Sequence, residues 1–283
     1  MSSDPGPIGI FDSGYGGLTV LREIRRHLPE YDYLYLGDNA RAPYGPRSFE
    51  RVYEFTLQAV RRLFDMGCPL VILACNTASA KALRTIQQRD LPYLFPPAKG
   101  ETLPSRRVLG VIRPTAEIVG ELTHTRHIGI VATQGTVSSR TYELEIAKLS
   151  PDVKVTAQAC PMWVALVENH EFDSPGADYF VQRDIQRLMQ ADPLIDTIIL
   201  GCTHFPLLLN KVRAYAPAHV RLISQGEYVA RSLGYYLRRH PAIDGPLTRG
   251  GSVRYLTTEQ PTSFSAAATI FVGQPVEAEH IDL

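Results

Sequence analysis

The sequence predicts two pseudo-symmetric, doubly wound α/β domains whose strand ends face each other across a cleft. Short apolar runs such as Leu70-Val71-Ile72-Leu73-Ala74 alternate with segments of helical spacing. A strand apolar on both faces is one covered by helices on both sides, as in a parallel sheet. Two of these runs, 70–74 and 197–201, end alike, in a cysteine, a small polar residue and a helix start: Cys75-Asn76-Thr77 and Cys202-Thr203-His204. A further pair echoes them, with Ile8-Gly9-Ile10-Phe11 before Asp12-Ser13-Gly14 and Ile128-Gly129-Ile130-Val131 before Ala132-Thr133. The chain therefore reads as two homologous halves, each carrying one cysteine at a strand end.

Taken in order, strand 8–11 leads into the glycine-rich turn 12–17, and Leu18, Leu21, Ile24 and Leu28 mark a helix face. Strand 33–36 ends at Gly37-Asp38-Asn39. The loop Ala42-Pro43-Tyr44-Gly45-Pro46 precedes a long helix capped by Ser48 and closed by Gly67. Strand 70–74 follows, with Asn76 or Thr77 as the expected cap of the next helix. Residues 92–107, with four prolines and no periodicity, read as a surface loop. Strand 108–112 and a helix starting at Pro114 lead into the second half. That half has strands at 128–131, 153–157 and 198–200, and helices ending near 149, around 162–168 and at 177–190. A strand at 220–223 and a helix at 227–237 are expected to return to the first domain, followed by strand 253–256, a short helix and a final extended piece. The division is thus 1–113 plus 217–283, carrying Asp12 and Cys75, against 114–216, carrying Cys202. Both domains are of the flavodoxin-like type, with the site in the cleft between them.

A chain of 283 residues has room for two such cores. Lys plus Arg equals Asp plus Glu at 29 each, so no nucleic-acid footprint is present. Four cysteines without clustered spacing fit neither a disulfide framework nor a zinc ribbon, and suit a reducing cytoplasm. No secretory signal is visible at the N-terminus, and no apolar stretch approaches the ~18 residues of a membrane span.

Free cysteine is among the most buried residue types, so a single strand-end cysteine is as easily packing as chemistry. Two at equivalent places point to a shared site; Cys68 and Cys160 lack that argument and read as structural. If two thiols face one cleft, a substrate carbon between them can lose a proton to one and gain one from the other. That inverts a stereocentre without a cofactor. The working state is one thiolate and one thiol, titrating as a coupled pair, and the positive end of the helix after Cys75 favours a thiolate there. Asp12 and His204 are placed to adjust proton position or to meet a substrate ammonium group. Ser13, Asn76, Thr77, Thr203 and the backbone amides near Tyr44 and Gly45 can hold carboxylates. The turn Gly14–Gly17 lacks the Gly-x-Gly-x-x-Gly pattern of a dinucleotide site, and Cys202-x-His204 matches no common zinc spacing.

The strings FDSGYGGLTVL, GDNARAPYGPRS, ACNTASA, CPMWVALVE and LGCTHFPLL resemble those of the glutamate racemase family, among the cofactor-independent aspartate/glutamate racemases. The resemblance runs from about residue 8 to the end. It implies interconversion of L- and D-glutamate, supplying D-glutamate for bacterial peptidoglycan. Cys75 would serve the D-enantiomer's α-proton and Cys202 that of L-glutamate. Asp12, Glu168 and His204 would assist, and Asp12, Ser13, Pro43, Tyr44, Gly45, Asn76, Thr77, Thr203 and His204 would hold the substrate. No cofactor or metal is expected. Glutamate is the expected small-molecule partner, with neither nucleic acid nor membrane, in a homodimer. Gly37-Asp38-Asn39 departs from the family's usual Gly-Asp-Thr, and Arg113-Pro114-Thr115-Ala116 from Glu-Pro-Gly-Ala.

On the residues alone two other classes stay open. One is a thiol redox protein with a reversible Cys75–Cys202 disulfide, although the local Cys-x-x-Cys that would support it is absent. The other is a non-catalytic two-domain binding protein. Among racemases, aspartate is the rival substrate, since one methylene changes binding by only ~1–3 kcal/mol.

Overall fold

The computed structural model describes residues 5–97 and 105–283. Among the described residues, ten strands form two wholly parallel sheets: β1 (Ile8–Asp12), β2 (Tyr33–Gly37), β3 (Leu70–Leu73), β4 (Arg107–Gly110), β5 (His127–Ala132), β6 (Lys154–Ala159), β7 (Thr197–Gly201), β8 (Arg221–Ser224), β9 (Val253–Thr257) and β10 (Ala278–His280). The first sheet runs β10-β9-β2-β1-β3-β4 and the second β6-β5-β7-β8. Replacing β1–β4 by β5–β8 turns the order β2-β1-β3-β4 into β6-β5-β7-β8, so the two halves share one winding. Every residue of β1, β2, β3 and β7 is buried, which accounts for their unbroken apolar runs.

The helices start and stop where local chemistry dictates. Ser48 Oγ accepts from Arg51 N at 3.3 Å to open Phe49–Asp65, and Gly67, at φ +92°, closes that segment in a conformation a side chain would strain. Ser174 caps Pro175–Ala191, with the proline in the first turn. The single helix expected up to 149 is two, Gln134–Ser139 and Thr141–Leu149, broken at Arg140 with φ +55°.

Two further expectations change. The strand at 220–223 does not return to the first domain, so the boundary at 217 falls too early. Arg221–Ser224 pairs in parallel with Thr197–Leu200 in the second sheet. The chain crosses back only with the helix Gly226–Arg239, which packs on Gly17–His27. An apolar run marks a strand but not its neighbour. The stretch 92–107 is also not one loop: π-helical residues Ile86–Asp90 run into a helical turn, Leu91–Leu94, and Arg107 opens β4. Pro92 sits in the first turn, where its missing N–H costs nothing. The rest of that predicted loop at 98–104 lies outside the described residues. Among the described residues, no helix is long and apolar enough to cross a membrane.

Candidate active site

In doubly wound sheets a crevice opens at the carboxyl ends of the strands where the winding reverses. Here that happens twice, between β1 and β3 and between β5 and β7. The register opposes Phe11 to Leu73 in one sheet and Ala132 to Gly201 in the other. Continued past the strand ends, it sets Ser13 beside Cys75 and Thr133 beside Cys202. Both crevices open into one cavity of about 290 Å³.

Every site residue expected from sequence lines this cavity: Asp12, Ser13, Pro43, Tyr44, Gly45, Asn76, Thr77, Cys75, Glu168, Cys202, Thr203 and His204. Cys68 and Cys160 do not line it, although Pro161 does. All four cysteines are free. A larger groove of about 690 Å³ elsewhere is lined by Lys81, Arg84 and Arg113 among others, and neither strand-end cysteine reaches it.

The first wall is built around Cys75. Its own sulfur, not Asn76 or Thr77, caps the Asn76–Lys81 helix, accepting from Ala78 N at 3.4 Å. The Ser13 hydroxyl lies 3.4 Å from the same sulfur. These two bonds and the helix start favour a thiolate, yet burial and the nearby Asp12 carboxylate outweigh them and push the Cys75 thiol up to about 12. Cys75 therefore rests as a thiol, which corrects the expectation drawn from the helix end alone. Burial raises Asp12 as well, against the pull of His204 and of the Gly17 and Gly14 amides. Gly14 N donates to Asp12 Oδ2 at 2.9 Å, while Oδ1 is buried and has no partner among the described residues. Asn76 Nδ2 is likewise buried and unpartnered.

The second wall carries a different set. Cys202 Sγ lies 3.9 Å from His204 Nδ1, and His204 Nε2 is 2.9 Å from Glu168 Oε1. Burial alone would depress the imidazole. The bonds to Cys202 and Glu168 prevail and raise it to about 10, so His204 is an imidazolium at neutral pH. The cavity wall includes no lysine or arginine among the described residues, which leaves His204 as its one cation.

The glycine turn brings these walls together. A Cβ on Gly16 would collide with the His204 ring and the Thr203 hydroxyl, and one on Gly17 with Asp12. Thr19 Oγ1 donates to the Thr203 carbonyl at 2.9 Å, tying the Gly17–His27 helix to the opposite wall. Tyr44 donates to the buried Asp38 carboxylate, which also accepts from Arg41 Nε at 2.7 and 2.9 Å and from Thr258 Oγ1 at 3.0 Å. That network sets the 42–46 loop over the cavity.

Sequence reasoning missed Thr133 and Phe271. Thr133 lines the cavity and lies 2.9 Å, oxygen to oxygen, from the Thr77 hydroxyl. Its place in the second copy, matching Ser13, was the available signal. Phe271 packs edge-on against the His204 ring with centroids 5.6 Å apart; no local motif marks it.

Two matched α/β sheets are thus joined over one cavity that takes a cysteine from each. A family model described as Asp/Glu/Hydantoin racemase matches residues 17–233. The chain belongs to that family. It is 40% identical over 280 residues to a glutamate racemase of Roseobacter denitrificans, covering 95% of this chain and 98% of that one. The crystal structure of a glutamate racemase isoform from Bacillus anthracis superposes with a TM-score of 0.85 at 35% identity, covering 98% of each chain. A glutamate racemase from Francisella tularensis, solved in complex with D-glutamate, gives 0.82 at 27% identity, covering 100% of this chain and 98% of that one.

Proposed function

We propose that this protein interconverts L- and D-glutamate by a two-base mechanism, with Cys202 and Cys75 as the bases on opposite faces of the α-carbon. The observation that carries the reading is that both strand-end cysteines line one cavity beside an unpartnered acceptor, Asp12 Oδ1, and an unpartnered donor, Asn76 Nδ2. An α-amino acid brings the complement: an ammonium group for the acceptor and a carboxylate for the donor. The backbone amides around Tyr44 and Gly45 and the hydroxyls of Ser13, Thr77, Thr133 and Thr203 are available to the carboxylates.

From L-glutamate, the Cys202 thiolate takes the α-proton and becomes a thiol, leaving the electron pair delocalised into the α-carboxylate. Cys75, resting as a thiol, delivers its proton to the opposite face and becomes the thiolate. The reverse direction exchanges these roles. The His204 imidazolium balances negative charge beside Cys202, and Glu168 holds that imidazolium in place. The relatives it matches over nearly its full length are glutamate racemases, which favours glutamate over aspartate. Work in the cytoplasm, assembly as a homodimer and supply of D-glutamate for peptidoglycan complete the proposal; the last of these rests on the family resemblance.

The test is chiral chromatography of purified protein incubated with L-glutamate, and separately with L-aspartate, with no cofactor added. The proposal expects D-glutamate to accumulate to an equal mixture, with aspartate turned over far more slowly. Inertness toward glutamate, or faster turnover of aspartate, would overturn it.

A further inference from the structure

Asn76 meets the cavity with its amide nitrogen, and the reason lies outside the cavity. Its carboxamide oxygen accepts from the Tyr142 hydroxyl at 2.8 Å. Tyr142 stands on the Thr141–Leu149 helix of the second half, its ring buried, and its oxygen accepts from Gln225 Nε2 at 2.6 Å. Gln225 Nε2 also reaches the Val111 carbonyl at 3.1 Å and Thr115 Oγ1 at 3.4 Å. Asn76, Tyr142, Gln225 and Thr115 are all buried, so water does not compete for these bonds.

The direction of this chain is fixed from one end. A backbone carbonyl can only accept, so Val111 O fixes the Gln225 amide with its nitrogen inward. One of the two Nε2 hydrogens serves Val111 and the other points at Tyr142. The phenol, accepting there, sends its own proton on to Asn76 Oδ1. With its oxygen engaged, the Asn76 amide is left to present Nδ2 to the cavity, buried and unpartnered. A flipped Asn76 would set an acceptor against the substrate carboxylate.

The ends of the relay sit at the two places where the chain passes between the sheets. Val111 precedes the Ile112–Leu122 helix on the outward crossing, and Gln225 precedes the Gly226–Arg239 helix on the return. We propose that Tyr142 and Gln225 are positioning residues that act through Asn76. They hold its amide as a carboxylate donor and tie substrate binding to the crossings between the two halves. The inference rests on the proposed glutamate site.

Its test is steady-state racemisation by Tyr142→Phe, which keeps the ring and removes the hydroxyl, measured with both enantiomers. The bond from Asn76 to the carboxylate is already made in the ground state, so its loss raises KM, and its strengthening as the electron pair moves into the α-carboxylate adds a smaller fall in kcat. The expected result is a KM raised roughly tenfold or more for each enantiomer with kcat within about threefold, the scale of one hydrogen bond to a charged group. In an Asn76→Ala background the same change should add nothing, because Tyr142 then has no amide to orient. Gln225→Met should raise KM in the same direction by a smaller factor, again only when Asn76 is present; this variant decides the question if Tyr142→Phe does not fold. An unchanged KM in the folded variants, or increases that persist in the Asn76→Ala background, would overturn the relay. A wild-type protein that turned over neither enantiomer would instead remove the glutamate reading itself.

Discussion

The Ser13 hydroxyl lies 3.4 Å from the Cys75 sulfur, across the end of the β1–β3 pair. The matching place beside Cys202 belongs to Thr133, but there the close neighbour of sulfur is the His204 imidazole at 3.9 Å. The two halves thus repeat their winding and diverge in their chemistry. One sulfur faces a hydroxyl and a nearby carboxylate, and the other a cation. Burial and the Asp12 carboxylate keep the proton on Cys75, and on the proposed mechanism Cys202 is the base toward the L-enantiomer.

Cys75→Ala and Cys202→Ala should each abolish racemisation. Loss of a required acid or base costs at least the ~100–10,000-fold typical of general acid–base catalysis. Cys68 is fully buried in the core behind β3, away from the cavity. Cys68→Ala should therefore keep its activity while losing about 1 kcal/mol of stability. Circular dichroism at 25 °C and thermal unfolding of the three variants check this.

Alkaline pH should weaken the fold through His204. Its folded pKa of about 10 lies above the unfolded value of 6.5, so its contribution is fully present below pH 6.5 and is lost as pH rises through about 10. Cys75, raised from 9.0 to about 12, acts in the same sense at higher pH. Wild-type Tm should therefore fall between pH 7 and 10 more steeply than that of His204→Asn. Parallel curves would contradict the assigned imidazolium.

Glu168→Gln removes one of the two groups that hold the His204 proton. The alkaline limb of the kcat/KM profile should then move to lower pH, with activity near pH 6 less affected than activity near pH 9. A profile merely scaled down at every pH would mean that Glu168 acts in some other way.

Gly16→Ala tests the approach of the two walls. The added methyl has no room against His204 and Thr203. Overpacking of this kind costs about 1–3 kcal/mol. Displacing His204 should also lower kcat by at least about tenfold, against little change expected for Gly176→Ala, where a Cβ would make only an ordinary contact with Ser174.

Much of this was legible in the chain because strands β1, β3, β5 and β7 are buried on both faces and announce themselves as apolar runs. Asp12, Ser13, Cys75, Asn76, Thr77, Cys202, Thr203 and His204 lie at the ends of three of those runs, so their places came with the strands, whereas Glu168 came only with the family resemblance. What was not legible depends on contacts made at a distance. Gly16 reads as a turn residue, and only the opposing Thr203-His204 explains why no side chain fits. Tyr142 and Gln225 stand in no motif; each matters for one buried hydrogen bond to a residue far along the chain. The edge strand β8 reads as a strand, but pairing decides its sheet. The charge state of Cys75 needed the depth of burial and the position of Asp12, neither of which a helix start reveals.

The central claim is that two separate thiols, not one swinging base, carry the proton across. Thiol protons exchange with water, so in deuterium oxide the delivered hydrogen comes from solvent while the abstracted one stays on the other wall. Mass spectrometry of each separated enantiomer during initial turnover of D-glutamate should find the new L-glutamate fully deuterated at the α-carbon and the remaining D-glutamate almost unlabelled, with the mirror result from L-glutamate. Substantial α-protium in the newly formed enantiomer would contradict the account, since a single shared base would then be returning the proton it took.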